Sequence, residues 1–491
     1  MKGKILYCIV LNILICFQLI SPVIAQEPAY QNYTYSYEKI PFAESQAYIP
    51  TDIISGISLG VGAFNTPKDV FVAKDGKVYI VDSGNNRIVI LNKDLKLTGI
   101  LSEFINNGKK DTFKNPNGIF LTDYNLMYIA DTDNGRIIVL DENYNFITEY
   151  GKPKTNLVTK DFPYKPVKIA VDSALRIFVV SLNVDKGLIE LDKDGNFETF
   201  YGAIPVNPNI GMLFWRAIAT NEQKSRMTLE LPTEYSSVDI DETNFVYGVV
   251  SVTGANSTFN PNNLIKRLNP FGNDVLKRNG FFPPSGDVLF DYVKGVPQNS
   301  KFSDVCVRPY GIYSTLDSKR GRVFTYDENG NLLCVFGRYG EQMGDFGNSV
   351  AFDIVNDTNY LVVDAKYNHI VIFKPTEYMN LILNATRLQY ERKYSLSEQM
   401  WSQVLKYSSK SDLAYDGMGR VLLRQGKNKK AMKYFELAND RQLHSKAYGA
   451  YRDELIGKYF NIFLVAVILL WILLSILIPA YKKRKRRDMQ K

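Results

Sequence analysis

The chain has 491 residues, 45% hydrophobic and 22% charged, with 33 Gly and 20 Pro, which excludes a disordered, collagen-like or low-complexity protein and allows about two to three domains. Only two histidines, His369 and His444, are present, so any site built on a cluster of imidazoles is excluded. The net charge of +8 sits at the ends: Lys482, Lys483, Arg484, Lys485, Arg486, Arg487 and Lys491 face a single acid, Asp488, and Lys2 and Lys4 open the chain, leaving the body near neutral and without the basic face that nucleic-acid binding needs.

Residues 1–25 read as a secretory signal: two lysines, an apolar run over 5–20, then Val23-Ile24-Ala25 before a cut at Gln26. An uncleaved N-terminal anchor is the alternative. Residues 26–47 form an N-terminal linker. The part of the chain beyond the signal keeps two cysteines, Cys306 and Cys334, too few for a fold that depends on disulfides.

Residues 48–375 are a repeat. Pro67-Lys-Asp-Val-Phe-Val, Lys77-Val-Tyr-Ile-Val-Asp82 and Asn86-Arg87-Ile-Val-Ile-Leu recur as Pro116-Asn-Gly-Ile-Phe-Leu, Leu126-Met-Tyr-Ile-Ala-Asp131 and Gly135-Arg136-Ile-Ile-Val-Leu. A third unit runs from Pro166 to Tyr201, a fourth from Ser237 to Asn269, a fifth from Asp304 to Gly337 and a sixth from Ser349 to Lys374. Each holds short β-branched and aromatic strands separated by turn residues, and a four-stranded antiparallel unit of this length is a propeller blade. The sixth unit lacks its last strand and the strand-like residues 49–57 precede the first unit, so this segment is expected to supply the missing outer strand and close the ring. That layout puts Cys306 on an innermost strand and Cys334 on an outermost one, too far apart to bridge.

Asp82-Ser-Gly-Asn-Asn86-Arg87-Ile88 and Asp131-Thr-Asp-Asn134-Gly-Arg136-Ile137, with partial matches at Asp317 to Arg322 and Asp364 to Ile370, resemble the NHL-repeat propellers. The resemblance implies a six-bladed propeller. It reads Asp82, Arg87, Asp131, Arg136, Asp317, Arg322 and Asp364 as a structural motif, in which a carboxylate at a strand end accepts turn amides and pairs with the following Arg. The third and fourth units carry Ser181 and Ser251 where the Asp stands.

Three segments break the spacing. Residues 204–230 contain Phe214, Trp215 and a helix-like stretch, and residues 251–263 and 279–300 are long loops, the latter with Phe281 and Phe282. Loops of this length are often functional, and these four aromatics are candidates to stack on sugar rings or proline-rich segments; core packing is the equal alternative. Asp239, Asp241, Asp304 and Asp353 lie near innermost strands, where a carboxylate ring could hold a divalent cation in the channel.

From residue 376 to 458 the period becomes helical. Ser397, Trp401 and Val404 recur as Ala431, Phe435 and Ala438, each displaced by 34 residues, the period of tetratricopeptide repeats. This small module is expected to pack on the propeller or on a partner. Residues 460–480 carry no charge and are long enough to cross a bilayer; with Tyr459 and Tyr481 at its borders, the span is 459–481. The basic tail, 482–491, then belongs on the cytoplasmic side and the body outside the cell membrane.

The expected architecture is therefore mainly β: a six-bladed NHL-type β-propeller, a tetratricopeptide-like helical module and one transmembrane helix. The combination is similar to bacterial membrane proteins encoded beside carbohydrate ABC-transporter permeases, and the stretch from Trp215 to Asp239 looks like that group. The resemblance implies an accessory or scaffold role with protein partners such as permeases, or a glycan, and no cofactor. Because NHL-type lyases bind zinc through several histidines, that chemistry is not expected here. Lactonase-like hydrolysis with a channel cation is the alternative, since related propellers use carboxylates and Asn around a divalent ion.

Overall fold

The computed structural model describes residues 30–36, 38, 40–155, 162–203, 218–220, 234–251, 262, 264–288, 292–293, 296–297 and 300–489. Six antiparallel sheets succeed one another along the chain. Blade 1 is Asp69–Val72, Val78–Asp82, Arg87–Leu91 and Leu97–Leu101; blade 2 is Pro116–Leu121, Met127–Asp131, Arg136–Leu140 and Phe146–Tyr150. Blade 3 is Pro166–Val171, Ile177–Ser181, Leu188–Leu191 and Phe197–Tyr201, and blade 5 is Phe302–Val307, Tyr313–Asp317, Arg322–Tyr326 and Leu332–Phe336. The first strands of successive blades adjoin one another, and the sixth adjoins the first. The six sheets therefore form a closed ring around an axis.

Closure occurs as the sequence predicts. Blade 6 takes Ser349–Val355, Asn359–Asp364 and His369–Pro375 from the end of the ring, and Tyr48–Ser55 from its start as the outer strand. That strand runs antiparallel to His369–Pro375, with Tyr48 opposite Pro375 and Ser55 opposite His369. Tyr48 is fully buried, its ring 4.6 Å from Phe336 and 4.9 Å from Tyr360. The closing strand is thus held by both backbone pairing and aromatic packing.

Blade 4 departs from the pattern. Glu234–Ile240, Val246–Ser251 and Ile265–Leu268 pair, and the next turn forms as elsewhere, with Asn269 Oδ1 accepting from Phe271 N and Asn273 N. Only an isolated bridge, Leu268 to Asp274, remains where a fourth strand would lie. The chain then passes along blade 5, where Asn279 N donates to Asn329 O in its last turn and Gly286 N to Tyr326 Oη.

Residues 30–47 are not free of the ring. Tyr33–Tyr35 and Pro41–Ala43 form a hairpin, and Asn32 Oδ1 accepts from Val335 N on the outer strand of blade 5. After blade 6 come helices α1 (Glu377–Tyr390), α2 (Tyr394–Tyr407), α3 (Asp412–Arg424), α4 (Asn428–Leu437) and α5 (Arg441–Asp488), each packed on the next. Thr376 caps α1 by accepting from Met379 N, and its own N and Oγ1 donate to Ala47 O and Gln46 O. A single apolar core joins Phe336, Phe352 and Tyr360 of blades 5 and 6 to Met379, Ile382, Trp401 and Met418 of the helices. The helical region is therefore fused to the propeller. Beyond it, α5 is long and apolar enough to cross a membrane, and its apolar side chains from Phe460 onward are exposed.

Candidate functional site

The axis of the ring is lined from two columns of the innermost strands. In blades 2 to 6 the inner strand shifts register just before Gly118, Lys168, Ser237, Asp304 and Ala351, and Asp69 holds the same place in blade 1. Two residues further on, and so on the same face of each strand, stand Phe71, Phe120, Ala170, Asp239, Cys306 and Asp353.

The first column carries an internal ion cluster. Lys168 Nζ lies 2.6 Å from Asp69 Oδ1 and 3.0 Å from Asp304 Oδ1, all three side chains at least 85% buried. Lys168 can reach both because its neighbours are short: Gly118 lies between it and blade 1, and Ser237 between it and blade 5. A Cβ on Gly118 would sit 2.4 Å from Val167 O, so the blades approach this closely only with glycine there. Ser237 Oγ donates to Asp304 Oδ1 at 2.5 Å. Burial opposes the ammonium charge of Lys168, but Asp304 and Asp69 outweigh it and raise its pKa. Burial pushes the Asp69 carboxyl up against the pull of Lys168.

The carboxylates also join blade to blade. Asp69 Oδ2 accepts from Ile119 N of blade 2, Asp304 Oδ2 from Phe352 N of blade 6, Asp239 Oδ2 from Val307 N of blade 5, and Asp353 Oδ2 from Val72 N of blade 1. Innermost strands present unpaired amides to the axis, and a carboxylate from the preceding blade satisfies one of them at each of these four seams. Burial raises Asp239 to about 8 and Asp353 to about 7. Cys306 Sγ donates to Asp353 Oδ1 at 3.3 Å, and burial holds its thiol well above the usual range. Both Cys306 and Cys334 are free and buried, as expected.

These positions decide the four candidate metal ligands. Asp239, Asp304 and Asp353 do face the axis. Asp241 does not join them: its Oδ1 accepts from Thr243 N and Phe245 N in the turn that follows, and its Oδ2 pairs with Arg267 at 2.7 Å. Among the described residues no three His, Cys, Asp or Glu side chains come together as a ligand set. In the first column the place of a cation is taken by Lys168, and in the second the carboxylates already accept amide protons. The donor set therefore does not fit a divalent ion unless those partners are displaced. The sequence reading missed Lys168 and Asp69; aligning the six inner strands would have exposed a Lys and two Asp in one column.

The repeat motif is structural. Asp82 Oδ1 accepts from Asn65 N and its Oδ2 pairs with Arg87 at 2.7 Å; Asp131 does the same with Lys114 N and Arg136. Asp364 accepts from Gly347 N, Lys366 N and Tyr367 N. Ser181 substitutes in blade 3, its hydroxyl accepting from Lys165 N. One pairing must be corrected: Asp317 binds Arg320, not Arg322. The Arg322 guanidinium turns to Asp287 at 2.5 Å, because that buried carboxylate, which also accepts from Tyr33 and Tyr35, lies beyond the turn.

Of the four aromatic candidates, Phe214 and Trp215 lie outside the described residues. Phe281 and Phe282 line a cavity of about 60 Å³ with Tyr35 of the hairpin, Tyr326 and Asn331 of blade 5, and Asp412 and Asp416 of α3. Phe282 meets Tyr35 edge to face at 6.3 Å. Asp416 pairs with Arg420 through Oδ2 at 2.5 Å, while its buried Oδ1 has no hydrogen-bond partner. Burial raises Asp412 and Asp416 to about 6, with Glu44 and Glu38 adding to the first. A cavity this small admits the tip of a side chain or the edge of a sugar ring rather than a whole small molecule.

An NHL repeat family model matches residues 64–91, which hold the first three strands of blade 1. No curated protein matches the chain. Among solved structures, virginiamycin B lyase from Staphylococcus aureus is similar at 12% identity and a TM-score of 0.41, covering 67% of this chain and 98% of that one. A putative gluconolactonase is similar at 11% identity and 0.39, covering 71% and 98%. At these values neither carries an argument about chemistry.

Proposed function

We propose that this protein is a membrane-anchored, extracytoplasmic recognition or scaffold protein, accessory to a membrane complex such as a carbohydrate transporter. The observation that carries the reading is the division of labour among its polar groups. The axial carboxylates are engaged in holding inner strands and Lys168, whereas the aromatic and acidic cavity stands where hairpin, blade 5 and helices meet. Trp401 packs against Gly417, and Phe435 against Gly419, at contacts where an added Cβ would clash. This large-on-small packing of α2–α4 supports a tetratricopeptide-like module, a fold suited to protein partners. The test is co-purification of the full-length protein with permease subunits from membranes, with and without Phe281→Ala and Phe282→Ala. Association weakened by these changes supports the proposal; a protein that remains alone after crosslinking in intact cells overturns it.

The second reading is a lactonase-like hydrolase using a channel cation. What favours it is that Asp239 and Asp353 carry protons near neutral pH, which an ion could replace. A stoichiometric divalent ion in the purified protein, with lactone hydrolysis lost in Asp353→Asn, would establish it in place of the first.

A further inference from the structure

The helical region has two unlike ends. Because α1 to α5 pack in alternating directions, the α1–α2 and α3–α4 turns lie at one end and the α2–α3 and α4–α5 turns at the other. Two contacts fix the first end against the membrane helix. Asn428 Nδ2, at the start of α4, donates to Glu454 Oε2 on α5 at 3.1 Å. Lys427 and Gln425 of the α3–α4 turn bind Glu398 near the start of α2, which connects them to the α1–α2 turn. At about 1.5 Å per residue, the charge-free run beginning at Phe460 starts about 9 Å beyond Glu454. Each headgroup layer of a bilayer is roughly 5–8 Å thick, so this end of the bundle lies at or beside the headgroups.

Its charge is one-sided. Arg392, Arg424, Lys429 and Lys430 are exposed and make no ion pair among the described residues. Lys458 is exposed one turn beyond Glu454, its ammonium over the Tyr459 ring at 5.4 Å. Two acids at this end are matched by cations, Glu391 by Lys393 and Glu398 by Lys427, while Glu454 is held by the neutral Asn428 and offsets one of the five unpaired cations. At the far end, Lys406, Lys410 and Arg441 are set against Asp412, Glu436 and Asp440, a near balance. The excess cations are therefore gathered on the side that faces the bilayer.

We propose that the α1–α2 and α3–α4 turns form a docking surface for anionic phospholipid headgroups, which holds the propeller and its helices in a fixed attitude to the membrane. The inference rests on α5 being a membrane span. Cations within a Debye length of an anionic surface are attracted to it, and each strengthens binding about five-fold. Arg392, Arg424, Lys429, Lys430 and Lys458 present five such charges.

The experiment uses full-length protein in nanodiscs of phosphatidylcholine alone or with phosphatidylglycerol. Cys306 and Cys334 are buried, so once Cys8 and Cys16 are replaced by serine a fluorophore can be placed selectively through Ser395→Cys at the membrane-facing end or Ser409→Cys at the far end. Headgroup-labelled quencher lipids should quench the first label and not the second. Phosphatidylglycerol should strengthen the effect at least two-fold, and high salt or Lys429→Glu with Lys430→Glu should reverse it. Equal quenching at both sites, or quenching at Ser395→Cys indifferent to lipid charge, overturns the proposal while leaving the span intact. Failure to incorporate into nanodiscs overturns both.

Discussion

Blades 1 and 2 and the region around blade 5 are built on different principles. In the first pair the cohesive contacts are short in sequence and occur twice: Asp82 with Arg87, Asp131 with Arg136, each carboxylate also accepting an amide seventeen residues earlier. Around blade 5 the contacts occur once and span the chain. Asp287 binds Tyr33, Tyr35, Arg320 and Arg322, Asn32 binds Val335, and the helices share a core with Phe336 and Tyr360. Repetition makes a ring, but it leaves every blade alike. A singular region is what gives the ring one place to attach its helices, the long apolar α5 among them.

The sharpest way to break the comparison is to remove residues 30–56. Blade 6 then loses its outer strand and blade 5 its hairpin, so the cooperative unfolding transition should disappear, as calorimetry would show; a propeller still unfolding in one sharp transition would mean that the repeats suffice alone. Next in size is Lys168→Met. It leaves Asp69 and Asp304 buried without their counter-charge and should cost about 3–5 kcal/mol in urea denaturation, most of it recovered when Asp69→Asn and Asp304→Asn are added.

The smallest effect concerns pH. Asp239 and Asp353 keep protons in the folded protein up to about 8 and 7, whereas the unfolded chain releases them near 3.8. The native state then binds more protons in that interval, so stability falls as pH rises from about 4 toward 8. Asp239→Asn, which still can accept from Val307 N, should flatten the fall and gain on the order of 2 kcal/mol at pH 8. Melting curves at pH 5 and pH 8 would reveal it; a loss of stability at pH 8 would contradict the assignment.

What could be read in the sequence follows the same division. Asp82 and Arg87 lie five residues apart, so their pairing is visible in the repeat itself, as are the blade count and the closing segment. Ser181 reads as a gap in the motif, yet its hydroxyl performs the amide-accepting half of the task. Arg322 was misread because its partner, Asp287, comes from a loop outside any repeat. Lys168 escaped notice because its partner Asp69 is 99 residues away. The truncated fourth blade was equally hidden, since the turn at Asn269 is normal and the pairing stops only after Asp274 and Val275, whose N donates to Arg267 O.

The closing strand has a consequence for how the molecule is made. Tyr48–Ser55 emerges from the ribosome early, but its partner, His369–Pro375, is synthesised some three hundred residues later. Until then the nascent chain can form only an open arc of sheets with an unsatisfied strand at each extremity. The arc can become a ring only when the last blade has appeared, and α1 begins two residues after that blade ends. Completion of the circle and docking of the first helix are thereby compressed into one late event of biogenesis, with the long apolar helix still to follow.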